Sequence, residues 1–303
     1  MDAKPFRKLP FDPMTNTTFS RRGLLKTSAL AAAASLLPSL ELHAETPLKP
    51  PSPATALPIR LGIASYTFRK FPDADKLIAF LKQLKTPLVN LKDMHLPMTP
   101  LDQVAAQAQK YRAAGLTLTA AGTITFNKDD DADMKPKFDY LKAAGIPIAV
   151  CAPTHEVLPR LEKFAREYNV KMAIHNHGPE DKNFPSPYDV LKAVKNMDER
   201  MGLCMDIGHA TRAGADIVAA ARDAGPRLFD IHAKDLAERN AKESQVAVGE
   251  GILPIRELFE TLIKTGYKGN VDLEYEINAD DPMPGVVESF AYMRGVLAGM
   301  GYK

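Results

Sequence analysis

The sequence predicts a single (β/α)8 barrel, and three observations predict it. From Ile59 onward short β-like runs alternate strictly with longer helical patterns, eight such pairs fit into residues 59–303, and no G-x-G-x-x-G follows the first run. Strict alternation implies parallel strands joined by crossover helices, because parallel neighbours cannot be linked by tight turns. Eight units in a segment close to the ~250 residues typical of a closed barrel favour closure over an open sheet. The missing glycine fingerprint removes the main support for a dinucleotide-binding sheet.

The elements follow in order. The first strand is read at Ile59–Ser65, and Asp75–Leu84 places Leu77, Ile78, Phe80, Leu81 and Leu84 at helical spacing. Leu88–Lys92 is a second strand, and Leu101–Ala114 a helix stopped at Gly115. Strands at Leu116–Ala121 and Ile146–Cys151 flank a helix at Met134–Ala144 that ends at Gly145. A helix at Val157–Tyr168 leads into a fifth strand at Lys171–His175, and a Ser-Pro start opens a helix at Pro187–Asn196. The sixth strand is Gly202–Asp206, with a helix at Ala215–Ala224, and the seventh is Leu228–His232. A helix at Ile255–Thr265 stopped by Gly266, a last strand at Val271–Glu276 and a closing helix at Val286–Leu297 complete the pattern.

Residues 1–44 read as an export signal rather than as part of the fold. Ser20-Arg21-Arg22-Gly23-Leu24-Leu25-Lys26 precedes an apolar run at Leu30–Leu37, which is the charge order and length of a signal and too short for a confident span. It resembles the twin-arginine pattern, with Leu24 where Phe is usual, so the mature protein is expected in the periplasm with no stable membrane span. Residues 45–58 are Pro-rich and read as a linker. The 39 basic and 37 acidic residues nearly cancel, which argues against a nucleic-acid partner. Cys151 and Cys204 both sit in strand-like runs, and the sequence leaves open whether they are bonded.

In such barrels the reactive side chains lie at the C-terminal ends of the strands. Here the last four strands end in His175-Asn176-His177, Asp206-Ile207-Gly208-His209, His232-Ala233-Lys234-Asp235 and Glu274-Tyr275-Glu276. Burying so many ionisable groups together is costly unless something pairs them, and mixed N and O ligands suit one divalent ion such as Mn, Zn, Fe or Co. Lys92-Asp93-Met94-His95 ends the second strand: Lys92 can touch substrate, act as a base or pair with a carboxylate, and His95 can reach the pocket or stay in its loop. Tyr66 and Phe68 are candidates for an apolar wall of the pocket.

Four features together resemble the xylose-isomerase-like barrels, which include sugar isomerases and epimerases: D-x-G-H at Asp206–His209, H-x-K-D at His232–Asp235, the last-strand Glu274, and the Gly249-Glu250-Gly251 turn. The resemblance covers the chain from about Ile59 to its C-terminus. It implies metal ligands at His175, Asp206, His232 and Glu274, and substrate contacts at His209 and Lys234. The sequence departs from the family at His175, where Glu is usual. Only Glu274 then remains of the family's carboxylate pair, while Glu276, His177 and Lys92 join it as candidates for proton transfer.

The expected chemistry is proton abstraction next to a carbonyl of a small carbohydrate, ending in isomerisation, epimerisation or β-elimination. Export argues against a phosphorylated sugar. A non-catalytic sugar-binding barrel is the alternative; a DNA-repair role is disfavoured by the export signal and the near-neutral charge. Association into a homo-oligomer is left open.

Overall fold

The computed structural model describes residues 57–302. Eight parallel strands close in sequence order into a barrel: Arg60–Ala64, Leu88–Leu91, Thr117–Phe126, Ile148–Pro153, Lys171–His175, Met201–Asp206, Leu228–Ala233 and Asn270–Leu273. Closure is made by the first strand pairing with the last, with Arg60 opposite Asn270 and Ile63 opposite Leu273. The expected twin-arginine segment, and all but the end of the linker, lie outside the described residues.

Local sequence sets the helix ends. Asp73 caps Ala74–Gln83 by accepting from Lys76 N at 2.8 Å, and Ser186 and Asp189 form a reciprocal capping box on Pro187–Val194. Gly145 and Gly266 close two helices with φ of +60° and +69°, a conformation that costs a side-chain-bearing residue more. The helices cover the sheet with one contiguous apolar core, while Ala120, Val150, Ala173, Cys204 and Phe229 form a smaller cluster. Cys151 and Cys204 are buried free thiols. No helix among the described residues is long and apolar enough to cross a membrane.

Several elements depart from the sequence expectation. The third strand continues to Phe126, past Gly122, whose φ is +142° and where a Cβ would lie 2.0 Å from Val150 O. The strand survives because only glycine allows the fourth strand to approach so closely. The last strand stops at Leu273, so Glu274 and Glu276 sit in the chain that leaves the barrel. A short helix, Ile207–Arg212, follows the sixth strand directly, with Asp206 as its N-cap.

Asp235 of the H-x-K-D motif explains the glycine turn. Its carboxylate accepts from Gly249 N at 2.9 Å, Gly251 N at 3.2 Å and Leu253 N at 3.1 Å. A Cβ on Gly251 would lie 2.2 Å from Asp235 Oδ1, and one on Gly249 would strike the Tyr292 ring at 2.4 Å. Asp235 is therefore a structural clamp. It ties the base of an excursion that carries the short antiparallel pair Asp235–Leu236 and Gln245–Val246.

Candidate metal centre and substrate pocket

Four adjacent strands deliver four potential ligands to one point. His175 ends the fifth strand, Asp206 the sixth, His232 lies near the end of the seventh, and Glu274 follows the eighth. One ligand atom from each lies within 4.8 Å of the others, and all four residues are buried. His175 Nε2 stands 3.0 Å from His232 Nδ1 and 3.6 Å from Asp206 Oδ2; His232 Nδ1 is 3.0 Å from Glu274 Oε2.

The donor set fits a divalent cation. His175 Nδ1 is buried without a hydrogen-bond partner, a costly arrangement for the folded chain alone, and Asp206 Oδ2 meets the Lys234 ammonium at 2.9 Å. Burial, reinforced by His177, pushes His175 well below the usual imidazole range, so a lone pair is available. Burial by itself would raise Asp206 and Glu274. It is outweighed at Asp206 by His209 and Lys234, and at Glu274 by His232 and Lys234, so both remain carboxylates. Cys204 also lies within reach of His175 and His232, but burial holds its thiol up at about 12, which favours the oxygen ligands.

Asn90 supports the same assignment. Its Nδ2 lies 3.1 Å from His232 Nε2, while its Oδ1 is buried without a partner. The two amide ends are interchangeable by rotation. With Oδ1 turned toward the ring, it accepts from Nε2–H and leaves Nδ1 facing the cluster; burial would lower the ring's pKa, but Cys204 and Glu274 raise it, so Nδ1 would serve as a ligand atom only on giving up its proton to the ion. A polar residue inside the apolar run Leu88-Val89-Asn90-Leu91 was the available signal for this role.

Lys234 occupies a more central place than a substrate contact alone. Its Nζ is 2.9 Å from Asp206 Oδ2, 3.0 Å from Glu274 Oε2, and in close contact with Glu276, and its side chain is only 4% exposed. Burial would lower its pKa, but Asp206 and Glu274 outweigh burial and keep the ammonium charged. Burial, followed by Glu274, pushes Glu276 up, and its side chain is 34% exposed at the pocket.

A cavity of about 390 Å³ opens over this cluster. It brings together His175, Glu274, Glu276, His177, His209, Lys234, Lys92 and Tyr66 from the sequence expectation. Lys92 Nζ donates to Thr123 O at 2.7 Å rather than to a carboxylate. His177 Nδ1 stands 3.3 Å from Asp181 Oδ2, and burial lowers the pKa of His209. Tyr66 lies beneath the Arg69 guanidinium, 5.1 Å from its ring centroid.

Two residues considered for the pocket, His95 as a substrate contact and Phe68 as an apolar wall, are not there. His95 is buried at 3% exposure, with Nδ1 3.0 Å from Ser65 Oγ and Nε2 3.1 Å from Phe71 O, so both ring nitrogens are spent behind the site. Its assignment as a substrate contact is corrected accordingly. Phe68 is fully buried and stacks on Phe80 at 4.8 Å. Thr123, Thr125 and Ala152 line the pocket instead. Thr123-Ile124-Thr125-Phe126 alternates polar and apolar, with Ile124 and Phe126 buried; that period of two was the signal for a longer third strand.

The xylose isomerase-like TIM barrel family model matches residues 81–296. An uncharacterised protein of Methanocaldococcus jannaschii is 29% identical over 125 residues, 39% of this chain. The rhizopine catabolism protein MocC of Rhizobium meliloti is 31% identical over 133 residues, also 39% of this chain. The matched segments span 41% and 40% of those two proteins. Among solved structures, the IolI protein with a bound zinc atom superposes with a TM-score of 0.66 at 16% identity, covering 81% of this chain and 100% of that one. The 3-keto-D-glucoside 4-epimerase YcjR of E. coli superposes with a TM-score of 0.60 at 18% identity, covering 78% and 99%. At these identities the likeness concerns the fold.

Proposed function

Because this chain belongs to the xylose isomerase-like TIM barrel family, we propose that it is a divalent-metal-dependent enzyme that removes a proton beside the carbonyl of an unphosphorylated sugar, as isomerase, epimerase or lyase. The convergence of His175, Asp206, His232 and Glu274 under a pocket that also holds Glu276, His177 and Lys92 carries this reading. The zinc named with IolI and the keto-glucoside named with YcjR support it.

Those four residues would hold the ion. Bound there, a divalent cation supplies a Lewis acid for the negative charge that develops on a carbonyl oxygen. Glu276 is suited to accept the proton: it faces the pocket, and its raised pKa makes it a better base than an ordinary carboxylate. Lys234 keeps Asp206 and Glu274 charged and limits their mutual repulsion. His177, oriented by Asp181, is placed to return a proton, and His209 and Tyr66 to hold sugar hydroxyls and a ring face.

With His175 where the family usually has Glu, a second carboxylate for proton return on the opposite face is missing. This favours elimination of a β-oxygen substituent. Export by the twin-arginine route to the periplasm belongs to the same proposal, on the strength of Ser20–Lys26 and the apolar run after it.

Elemental analysis of the purified protein, without added metal or an affinity tag, tests the proposal. About one equivalent of Mn, Zn, Fe or Co is expected, lost together with keto-sugar turnover in Asp206→Ala. Full occupancy in Asp206→Ala would overturn the ligand set. No metal in the parent protein, and no turnover after adding any, would instead leave a sugar-binding barrel.

A further inference from the structure

The pocket over the metal centre does not end at its rim. It shares Thr125, Ala152 and His177 with a second hollow of about 520 Å³, bordered further out by Asn127, Thr154 and Asn183. The shared wall exists because the third and fourth strands run on to Phe126 and Pro153, where Thr154 N donates to Phe126 O at 2.9 Å. The inner space lies within the ~300–1,000 Å³ that suits a single small ligand. The outer one adds comparable room that a lone monosaccharide at the metal centre would leave unused.

The outer hollow is polar in a particular way. Two side-chain amides, Asn127 and Asn183, border it, and Thr154 Oγ is buried without a hydrogen-bond partner. Its carboxylates are already engaged: Asp181 with His177, and Glu180 with Arg212. Neutral donors and acceptors in that balance suit hydroxyl groups better than a charged group. His177 borders both spaces, and Asp181, which also accepts from Asn183 N at 2.8 Å, fixes its ring from the outer side.

We propose that the outer hollow is the leaving-group subsite for a glycoside, with Thr125, Ala152 and His177 forming the wall at the junction between its two parts. This rests on the function proposed above and selects its elimination branch. The inner pocket takes the keto-sugar ring and the outer hollow takes a hydroxylated aglycone, either a second sugar or a polyol. A base in the inner pocket removes the proton on the carbon between the carbonyl and the glycosidic carbon. That electron pair forms a carbon–carbon double bond as the glycosidic C–O bond breaks, and the departing oxygen takes a proton from water, which regains one when the base gives up the proton it removed. The products are an unsaturated keto-sugar and a free alcohol. No oxidant or reductant is consumed.

The test uses the full chain loaded with the ion it is found to hold, a 3-keto-disaccharide, and the matching methyl and nitrophenyl 3-keto-glycosides. The disaccharide should have the lower KM. In Asn127→Ala and Asn183→Ala the ratio of disaccharide to methyl-glycoside KM should rise about tenfold, the order expected for one lost hydrogen-bonding group. Saturation-transfer NMR with the unoxidised parent disaccharide gives a readout without turnover: signals from both rings, weakened in Asn127→Ala. Equal KM for all three glycosides, unchanged ratios in the variants, or NMR contact through one ring only would overturn the subsite. Turnover of free keto-sugars with those results would leave the proposed function standing, whereas absence of both metal and turnover would remove it.

Discussion

Replacing Lys234 with Met removes the ammonium that touches Asp206, Glu274 and Glu276 together. Methionine keeps much of the aliphatic stem and adds no polar group. Three carboxyl groups then face one another in a site where Asp206 is wholly buried. Removing one partner of a buried ion pair costs about 3–5 kcal/mol, because the other charge is left without compensation. For a domain of this size each kcal/mol corresponds to ~2–4 °C in melting temperature, so Lys234→Met should melt roughly 6–20 °C below the parent in the presence of EDTA. A divalent ion at the cluster replaces the missing positive charge. At a hundred times its dissociation constant any such ligand contributes about 2.7 kcal/mol, and the gain at fixed ion concentration should be larger in the variant, which binds the ion without a competing ammonium. Circular-dichroism melts with and without Mn²⁺ or Zn²⁺ measure both quantities. A variant that melts within about 2 °C of the parent in EDTA, and gains no more than the parent from the ion, would refute the counter-ion role.

Three other outcomes are expected. Burial raises the Asp272 carboxyl to about 7, an effect partly offset by His232 and Arg60, and that is well above its unfolded value. Its contribution to stability is therefore present below about pH 4 and lost as pH rises through 7, so in EDTA the parent's melting temperature should fall between about pH 4 and 7. Asp272→Asn should flatten that slope, and an unchanged slope would count against the buried carboxyl. His175→Glu should keep the ion and restore a carboxylate opposite Glu274; solvent deuterium should then enter recovered substrate at least tenfold faster than in the parent by mass spectrometry, and no enrichment would mean that position 175 does not decide the outcome. Cys151 and Cys204 are buried as free thiols, and burial raises both pKa values, so neither should react with a thiol reagent before unfolding, and two thiols per chain should react in denaturant. Fewer than two would indicate a disulfide.

The barrel was legible in the sequence because its two periods are clean. Lys171–His175 and Ile255–Thr265 match the observed elements to the residue. The ligand cluster was legible for a related reason: in this architecture a polar residue that ends an apolar run points at the mouth, so His175, Asp206 and His232 announced themselves by position. What was hidden depended on contacts across the barrel. Nothing local tells that Lys234 reaches carboxylates from two other strands, or that His95 turns away to Ser65 and Phe71. The sequence reads the third strand as ending at Ala121, whereas it runs on through Gly122, which permits the close passage of Val150. Asp230 and Asp272 were unremarkable as isolated acids. Only register places Asp272 beside His232 and opposite Gly62, where a Cβ would lie 2.0 Å from its Oδ1.

The Asp235 clamp separates what this rim can change from what it must keep. Its carboxylate holds Gly249, Gly251 and Leu253 at the foot of the excursion, one residue along the chain from Lys234. Chain between Ala237 and Ser244, whose backbones join at 2.7 Å, lies beyond that knot. Insertions or substitutions at the tip add little closure cost once the base is pinned, provided Gln245, which holds Glu274 O and Glu276 N, keeps its place. Such an anchored handle lets a lineage try new partners at the mouth of the barrel while inheriting its chemistry intact.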